Sequence, residues 1–148
     1  MTPQEQLVAE LDDAARRVDA AIAGLDDEKA SRPAADGWSV KDHLTHLTFW
    51  HEMRFFEMSR IARGGRAGFL ESNTDRLNEQ IAGNRRGLPL EQVIADLNFA
   101  RDMVRQAVLS APEARLDLSL FAEIGPAGAA HDDEHAGLIE TWRAREGI

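Results

Sequence analysis

The sequence predicts an all-α protein, a four-helix bundle with a short extra helix and a long loop before the last helix. Apolar residues recur at three- and four-residue steps over four long segments, which is the period of a helix with one buried face. Only the stretch LDLSLF, residues 116–121, alternates as a strand does, and this is too little to build a sheet. The 148 residues suit a single domain, 1–148, with its own core.

The first two helices have clear start signals. Thr2-Pro3-Gln4-Glu5 is a capping box with proline at the first helical position, and the apolar stripe that follows runs to Leu25, before the loop-like stretch SRPAADG. Ser39, with Asp42 three residues later, caps a second helix that should end at Gly64-Gly65. The apolar band of this second helix is wide, so we expect most of the helix to be buried.

The third and fourth helices are bounded by caps and helix breakers. Ser72-Asn73-Thr74-Asp75 caps a short third helix that reaches about Arg86 and is stopped by Gly87. Pro89 opens a fourth helix that runs to Ala111-Pro112.

The stretch 112–130 does not have the pattern of a regular helix, and its LDLSLF segment favours an extended conformation. A loop of this length in a compact domain is usually functional or mobile. The last helix should start near Ala129 and run to about Arg145.

Composition excludes several classes of protein. The chain has no cysteine, which rules out disulfides, cysteine nucleophiles and cysteine-ligated metals. Its net charge of −9 disfavours a nucleic-acid binder, which needs a basic face. No apolar run approaches the ~20 residues of a membrane span, and the first residues have no signal-peptide pattern, so we expect a cytoplasmic protein without a membrane partner.

All five histidines lie in two of the predicted helices: His43, His46 and His51 in the second, His131 and His135 in the last. His131 and His135 point within about 40° of each other on a helical projection, on the apolar face that Trp142 continues. His46 lies on the same line as Trp50, whereas His51 points about 140° away and is expected at the surface. His43 is expected at the helix start or the edge of a pocket.

Three neutral imidazoles that converge inside a bundle can each satisfy one nitrogen by ligating a metal ion. Three protein ligands leave one position open, which is the pattern of catalytic rather than structural sites. Spacing alone leaves a plainer reading open, because histidines four apart are often hydrogen-bonded core or surface residues. HDDEH, residues 131–135, is also not the zinc-protease motif, since Asp132 replaces the glutamate that serves there as general base.

The stretch DGWSVKDHLTHLTFW, residues 36–50, resembles the second-helix signature W-S-x-x-x-x-x-x-H-L of the DinB/YfiT-like superfamily. The tail HDDEHAGLIETWR is similar to that superfamily's last helix, which has two histidines four apart. Trp50 and the middle segment SNTDRLNEQIAGNRRGLPLEQVIADL look closest to the ClbS/DfsB-type subgroup, and the resemblance spans roughly residues 5–145.

This resemblance implies a four-helix bundle that holds a divalent metal, often nickel or zinc, with three histidines: His46, His131 and His135. Some members of the superfamily use a low-molecular-weight thiol as cofactor in transferase or isomerase reactions. The ClbS-like members look like resistance hydrolases that open a strained ring in a genotoxin.

Three further residues are candidates for the pocket, and each has an alternative. Trp50 lies one turn after His46 and either lines the pocket or belongs to the core. Glu57 is either a general base near the site or a helix-end charge in solvent. Asn73 either borders the pocket or caps a helix.

Three functions fit these observations. The first is a metal-dependent hydrolase or thiol transferase that acts on a small molecule, in detoxification or resistance. The second is a bundle that binds and sequesters a small molecule without turnover. The third is a bundle that oligomerises through exposed apolar residues on the second or fourth helix, and a homodimer is compatible with all three.

Overall fold

The computed structural model describes residues 1–66, 74–119 and 126–148. Within these ranges the chain is helical and contains no strand, which confirms the predicted all-α class. The elements are α1 (Pro3–Ile22), α2 (Asp27–Ala30), α3 (Val40–Ala62), α4 (Thr74–Arg85), α5 (Leu90–Ser110), a 3₁₀ helix (Glu113–Leu118) and α6 (Ala129–Glu146).

Four long helices form the bundle. α3 packs chiefly on α5 and α1 chiefly on α6, while contacts of α1 with α5 and of α3 with α6 join the two pairs. The largest cluster of buried apolar side chains draws on all four helices, and its fully buried members include Val18, Leu44, Leu47 and Ile139. Each such side chain contributes about 1.5–3 kcal/mol by leaving water.

The predicted capping boxes are present at both helix starts. Thr2 Oγ1 accepts the Glu5 amide at 3.1 Å, and the Glu5 carboxylate accepts the Thr2 amide at 2.7 Å. Ser39 and Asp42 make the same reciprocal pair, each at 3.1 Å. These bonds satisfy amides that the first turn of a helix leaves without intrahelical partners.

One prediction about a helix boundary and one about local conformation are wrong. The first helix ends at Ile22 and does not reach Leu25, because Gly24 adopts a left-handed conformation (φ +78°) and Asp26 caps the separate α2. LDLSLF is not extended over its first half, since Leu116 to Leu118 lie in the 3₁₀ helix.

The third helix begins no later than Thr74 and ends at Arg85, close to the prediction. The predicted cap residues Ser72 and Asn73 lie outside the described residues. No helix in the described ranges is long and apolar enough to cross a membrane.

α3 positions most of the site because it is covered on several sides. It contacts α4, α5, α6 and the 3₁₀ helix. Its buried residues consequently include polar ones on opposite faces, among them His46, His51 and Glu57. The expectation of a largely buried second helix is met.

Candidate metal centre

The structure brings together the three histidines that the sequence singled out. His46 on α3 and His131 and His135 on α6 each offer one ligand atom, and these three atoms lie within 4.8 Å of one another. The Nε2 atoms of His46 and His131 are 2.9 Å apart. The His135 ring centroid is 4.7 Å from that of His46 and 4.8 Å from that of His131.

The donor set fits a divalent metal ion. A tetrahedral ion with metal–nitrogen bonds of about 2.0–2.1 Å holds two imidazole nitrogens about 3.3 Å apart, close to the 2.9 Å between the two Nε2 atoms. A hydrogen bond between these two atoms would place one proton between them and would not involve the third ring. A metal ion accepts a lone pair from all three rings at once, so the convergence of His46, His131 and His135 matches a three-histidine site.

Burial keeps these rings neutral at physiological pH. It lowers the pKa of His46 to about 4 and that of His131 to about 3, from an ordinary value of 6.5. It also lowers the pKa of His135 to about 2, and repulsion from the rings of His131, His46 and His43 adds to the effect. The neutral ring is the form that ligates metals.

Two tryptophans flank the cluster. The ring centroid of Trp38 lies 5.2 Å from that of His46, and the ring of Trp50 lies 6.3 Å from the same histidine. The Trp50 indole Nε1 donates a hydrogen bond to Asn78 Oδ1 at 3.2 Å, which ties α3 to α4 beside the site. Trp50 is half-buried and lies next to His46, in agreement with a position at the edge of the site.

His43 joins the cluster from one turn earlier on α3. Its Nδ1 atom is 2.8 Å from Nδ1 of His135, and only 8 % of the residue is exposed. It also lines a cavity of about 330 Å³ on the side of Trp38 and Trp142. The expectation of a pocket-edge position for His43 is consistent with this, but its contact with His135 was not foreseen.

A buried ionic network lies beside the histidine cluster. His51 is fully buried, and its Nε2 atom is 2.7 Å from Oδ1 of Asp132. The expectation that His51 lies at the surface is therefore wrong, because α3 is covered on that face as well. The other carboxylate oxygen of Asp132 is 3.0 Å from Nε and 2.8 Å from Nη2 of Arg101, which is also fully buried.

The hydrogen bond from His51 and the charge of Arg101 stabilise the ionised form of Asp132. Burial alone would raise the pKa of Asp132, but the hydrogen bond from His51 and the charge of Arg101 outweigh it and hold the pKa below 3.8. Burial lowers the pKa of His51, so this ring is neutral and its Nε2–H donates to the carboxylate. Asp132 thus serves as a buried anion that joins α6 to α3 and α5.

Glu57 belongs to the interior and is not a helix-end charge in solvent. The residue is fully buried, and its carboxylate accepts a hydrogen bond from Ser119 Oγ at 2.5 Å. Arg54, also in the interior, has its pKa lowered to about 10 by burial, against the opposing charges of Asp132 and Glu57. The third candidate, Asn73, lies outside the described residues.

The comparison with family models agrees with this architecture. The DinB superfamily model matches residues 10–139, which is most of the chain and includes all five histidines. The chain belongs to the DinB superfamily. Searches of curated proteins and of solved structures find no significant match.

In this DinB superfamily protein, the sequence predicts the three converging histidines but not the residues that surround them. Trp38 belongs to the W-S motif, but its contact with three imidazole rings is not indicated by the sequence. The burial of His51 could have been predicted, since a helix with a wide apolar band is buried beyond one face. The pairing of Asp132 with Arg101 joins residues 31 positions apart on different helices, and no local signal in the sequence indicates it.

Proposed function

We propose that this DinB superfamily protein is a metal-dependent enzyme that transforms a small molecule by hydrolysis or thiol transfer. The observation that carries the proposal is the convergence of three neutral imidazoles from α3 and α6 within 4.8 Å. Three histidines leave an open coordination position, as catalytic sites do.

His46, His131 and His135 would hold a divalent ion, of which nickel and zinc suit imidazole ligands. Such an ion supplies Lewis-acid activation of the group that reacts. The chain itself provides the setting: His46 and His135 are buried, His131 is half-buried, and Trp38 and Trp50 both pack against His46. Because the chain has no cysteine, a thiol used in the reaction must come from a cofactor or substrate.

The charge of the chain and a neighbouring cavity favour a small molecule as substrate. The cavity does not include His46, His131 or His135 in its lining, but it reaches His43 beside them and measures about 330 Å³, within the range of small-ligand pockets. The net charge of −9 opposes contact with a phosphate backbone. The sequence likeness of Trp50 and of the segment around Asn84 and Arg85 supports a place in the ClbS/DfsB-type subgroup, and with it a detoxification or resistance role.

Metal content tests the proposal directly. Protein purified without a histidine tag is incubated with nickel, zinc or manganese, desalted and measured by mass spectrometry. We expect about one ion per chain in the wild type and a loss in His46→Ala, His131→Ala and His135→Ala. Glu134→Gln is the matched control, because Glu134 is exposed on α6 beside His135. Circular dichroism checks that every variant is folded.

The results separate the three candidate functions. Metal lost only in the histidine variants, together with turnover of strained electrophiles or thiol conjugation, supports the enzyme. Metal and tight ligand binding without turnover favour the sequestering alternative. A wild type without metal would refute the proposed mechanism. That result would favour the third candidate, self-association. Phe56 on α3 and Phe99 on α5 are large apolar side chains with 51 % and 66 % exposure, and such side chains can form a contact between two copies.

A further inference from the structure

The fourth histidine of the cluster, His43, has a specific relation to His135. Their Nδ1 atoms are 2.8 Å apart, which is the distance of a direct hydrogen bond between the rings. Both residues are buried, with 8 % and 6 % exposure. Trp38 contacts both, with ring centroids 5.3 Å from His43 and 6.5 Å from His135.

This hydrogen bond occupies Nδ1 of His135 and therefore leaves only Nε2 for a metal ion. An imidazole has two ring nitrogens, and Nδ1 of His135 is already engaged by His43. The remaining Nε2 is the atom available to a metal held with His46 and His131. A neutral ring that ligates through Nε2 carries its proton on Nδ1, so His135 would be the donor and His43 Nδ1 the acceptor.

His43 itself is not part of the three-ligand group. Among the described residues, the ligand atoms that lie within 4.8 Å of one another belong to His46, His131 and His135. His43 contacts one member of that group, His135, and also lines the cavity beside Trp38 and Trp142. A metal-ligating histidine usually gives its second N–H to a carboxylate, a carbonyl or water, and here the acceptor is another imidazole.

We propose that His43 is a positioning residue that accepts the Nδ1–H of His135 and thereby orients His135 Nε2 toward the metal position. This inference rests on the proposed function, since it requires a metal at the three histidines. Partners of this kind typically affect metal affinity by about 10- to 100-fold when they are removed.

The test compares the zinc affinity of apo wild type with that of His43→Leu and His43→Asn. We expect His43→Leu to weaken zinc binding about 10- to 100-fold while the stoichiometry at saturation stays the same. His43→Asn should recover most of the affinity, because its side-chain oxygen lies near the place of Nδ1 and can accept the same hydrogen bond. Leu138→Ala is the control, as Leu138 lines the same cavity and is half exposed.

A spectroscopic readout distinguishes positioning from general loosening of the fold. In zinc-loaded wild type, nitrogen-15 NMR should show His135 protonated at Nδ1 and that proton protected from exchange. The protection should be lost in His43→Leu and kept in Leu138→Ala. Should the leucine variant fail to fold, His43→Asn still tests the proposal: the Nδ1 proton of His135 should stay protected in it, and free exchange of that proton in a folded, zinc-loaded His43→Asn variant would contradict the proposed hydrogen bond.

Three other outcomes would each contradict either the role of His43 or the metal site itself. Zinc affinity within twofold of wild type in His43→Leu would refute the role of His43 while leaving the metal site in place. Loss of zinc from both His43 variants, as complete as in His135→Ala, would make His43 a ligand and contradict its positioning role. A wild type that binds no zinc would refute both this inference and the proposed function.

Discussion

Replacing Asp132 by asparagine should strongly destabilise the metal-free protein, because the change removes the charge that balances Arg101 in the interior. Both residues are 0 % exposed. Asp132 Oδ2 lies 3.0 Å from Nε and 2.8 Å from Nη2 of Arg101, and Oδ1 lies 2.7 Å from His51 Nε2. Asp19, whose side chain is 57 % exposed, is more distant, at 3.6 Å from Arg101 Nη1.

The size of the effect follows from this geometry. Removing one partner of a buried ion pair costs about 3–5 kcal/mol, because the other charge is left without compensation. For a chain of this length, that loss corresponds to a fall in Tm of about 6–20 °C. Since domains of this kind are stable by about 5–15 kcal/mol, the variant should lose a large part of its free energy of unfolding.

A double variant isolates the pair. Asp132→Asn combined with Arg101→Met removes both charges, so we expect it to be more stable than the sum of the single effects predicts, by about 2 kcal/mol. Such a recovery would show that the cost of the single change comes from the unpaired guanidinium rather than from lost packing.

Urea unfolding followed by circular dichroism, at pH 7 with EDTA present, measures these free energies without metal. Asp133→Asn is the matched control, since Asp133 is the next residue on α6, is 49 % exposed in its side chain and lies 3.6 Å from Arg17. A surface pair of this kind contributes about 1 kcal/mol or less. Equal losses for Asp132→Asn and Asp133→Asn, or strictly additive effects in the double variant, would refute the reasoning.

Two further changes test the backbone and the charge at other points. Gly128→Ala should destabilise the protein by at least about 1 kcal/mol, since φ is +84° and the new Cβ would lie 2.9 Å from His51 Cε1. Gly147→Ala has the same strain without the contact, so thermal unfolding of both variants separates the two effects, and equal shifts would argue against the contact. Asp27 accepts the Leu90 amide at 2.7 Å, and this hydrogen bond lowers its pKa below 3.8. The ionised carboxylate therefore stabilises the fold above pH 3.8, and the stability gap between wild type and Asp27→Asn should close as the pH falls through the lowered pKa. A gap in urea midpoints that is unchanged from pH 7 into this acid range would contradict it.

The helical class and most helix starts could be predicted because their causes are local. The capping boxes at Thr2 and Ser39 place a hydrogen-bond acceptor within three residues of the amide it satisfies. The end of α1 was missed because Gly24 and the Asp26 cap compete with an apolar stripe that continues to Leu25. Periodicity indicates which side of a helix is apolar and does not show where the chain turns away.

The three histidines could be selected from the sequence for a similar reason. His131 and His135 share a face because a helix returns after four residues, and this holds before any packing is known. The motif around His46 then indicated the partner helix, and in the structure the ligand atoms of His46, His131 and His135 lie within 4.8 Å of one another. What the sequence determined was therefore the three imidazoles that converge, His46, His131 and His135, and the kind of bundle that contains them.

Only the tertiary structure decided what surrounds those imidazoles. The contact of His43 with His135 and the burial of His51 against Asp132 both depend on how α6 docks against α3. Arg101 reaches the same carboxylate from α5. Helical periodicity assigns each side chain a direction around its own axis, but the neighbour that it meets is set by the packing of separate helices, which is a property of the whole fold.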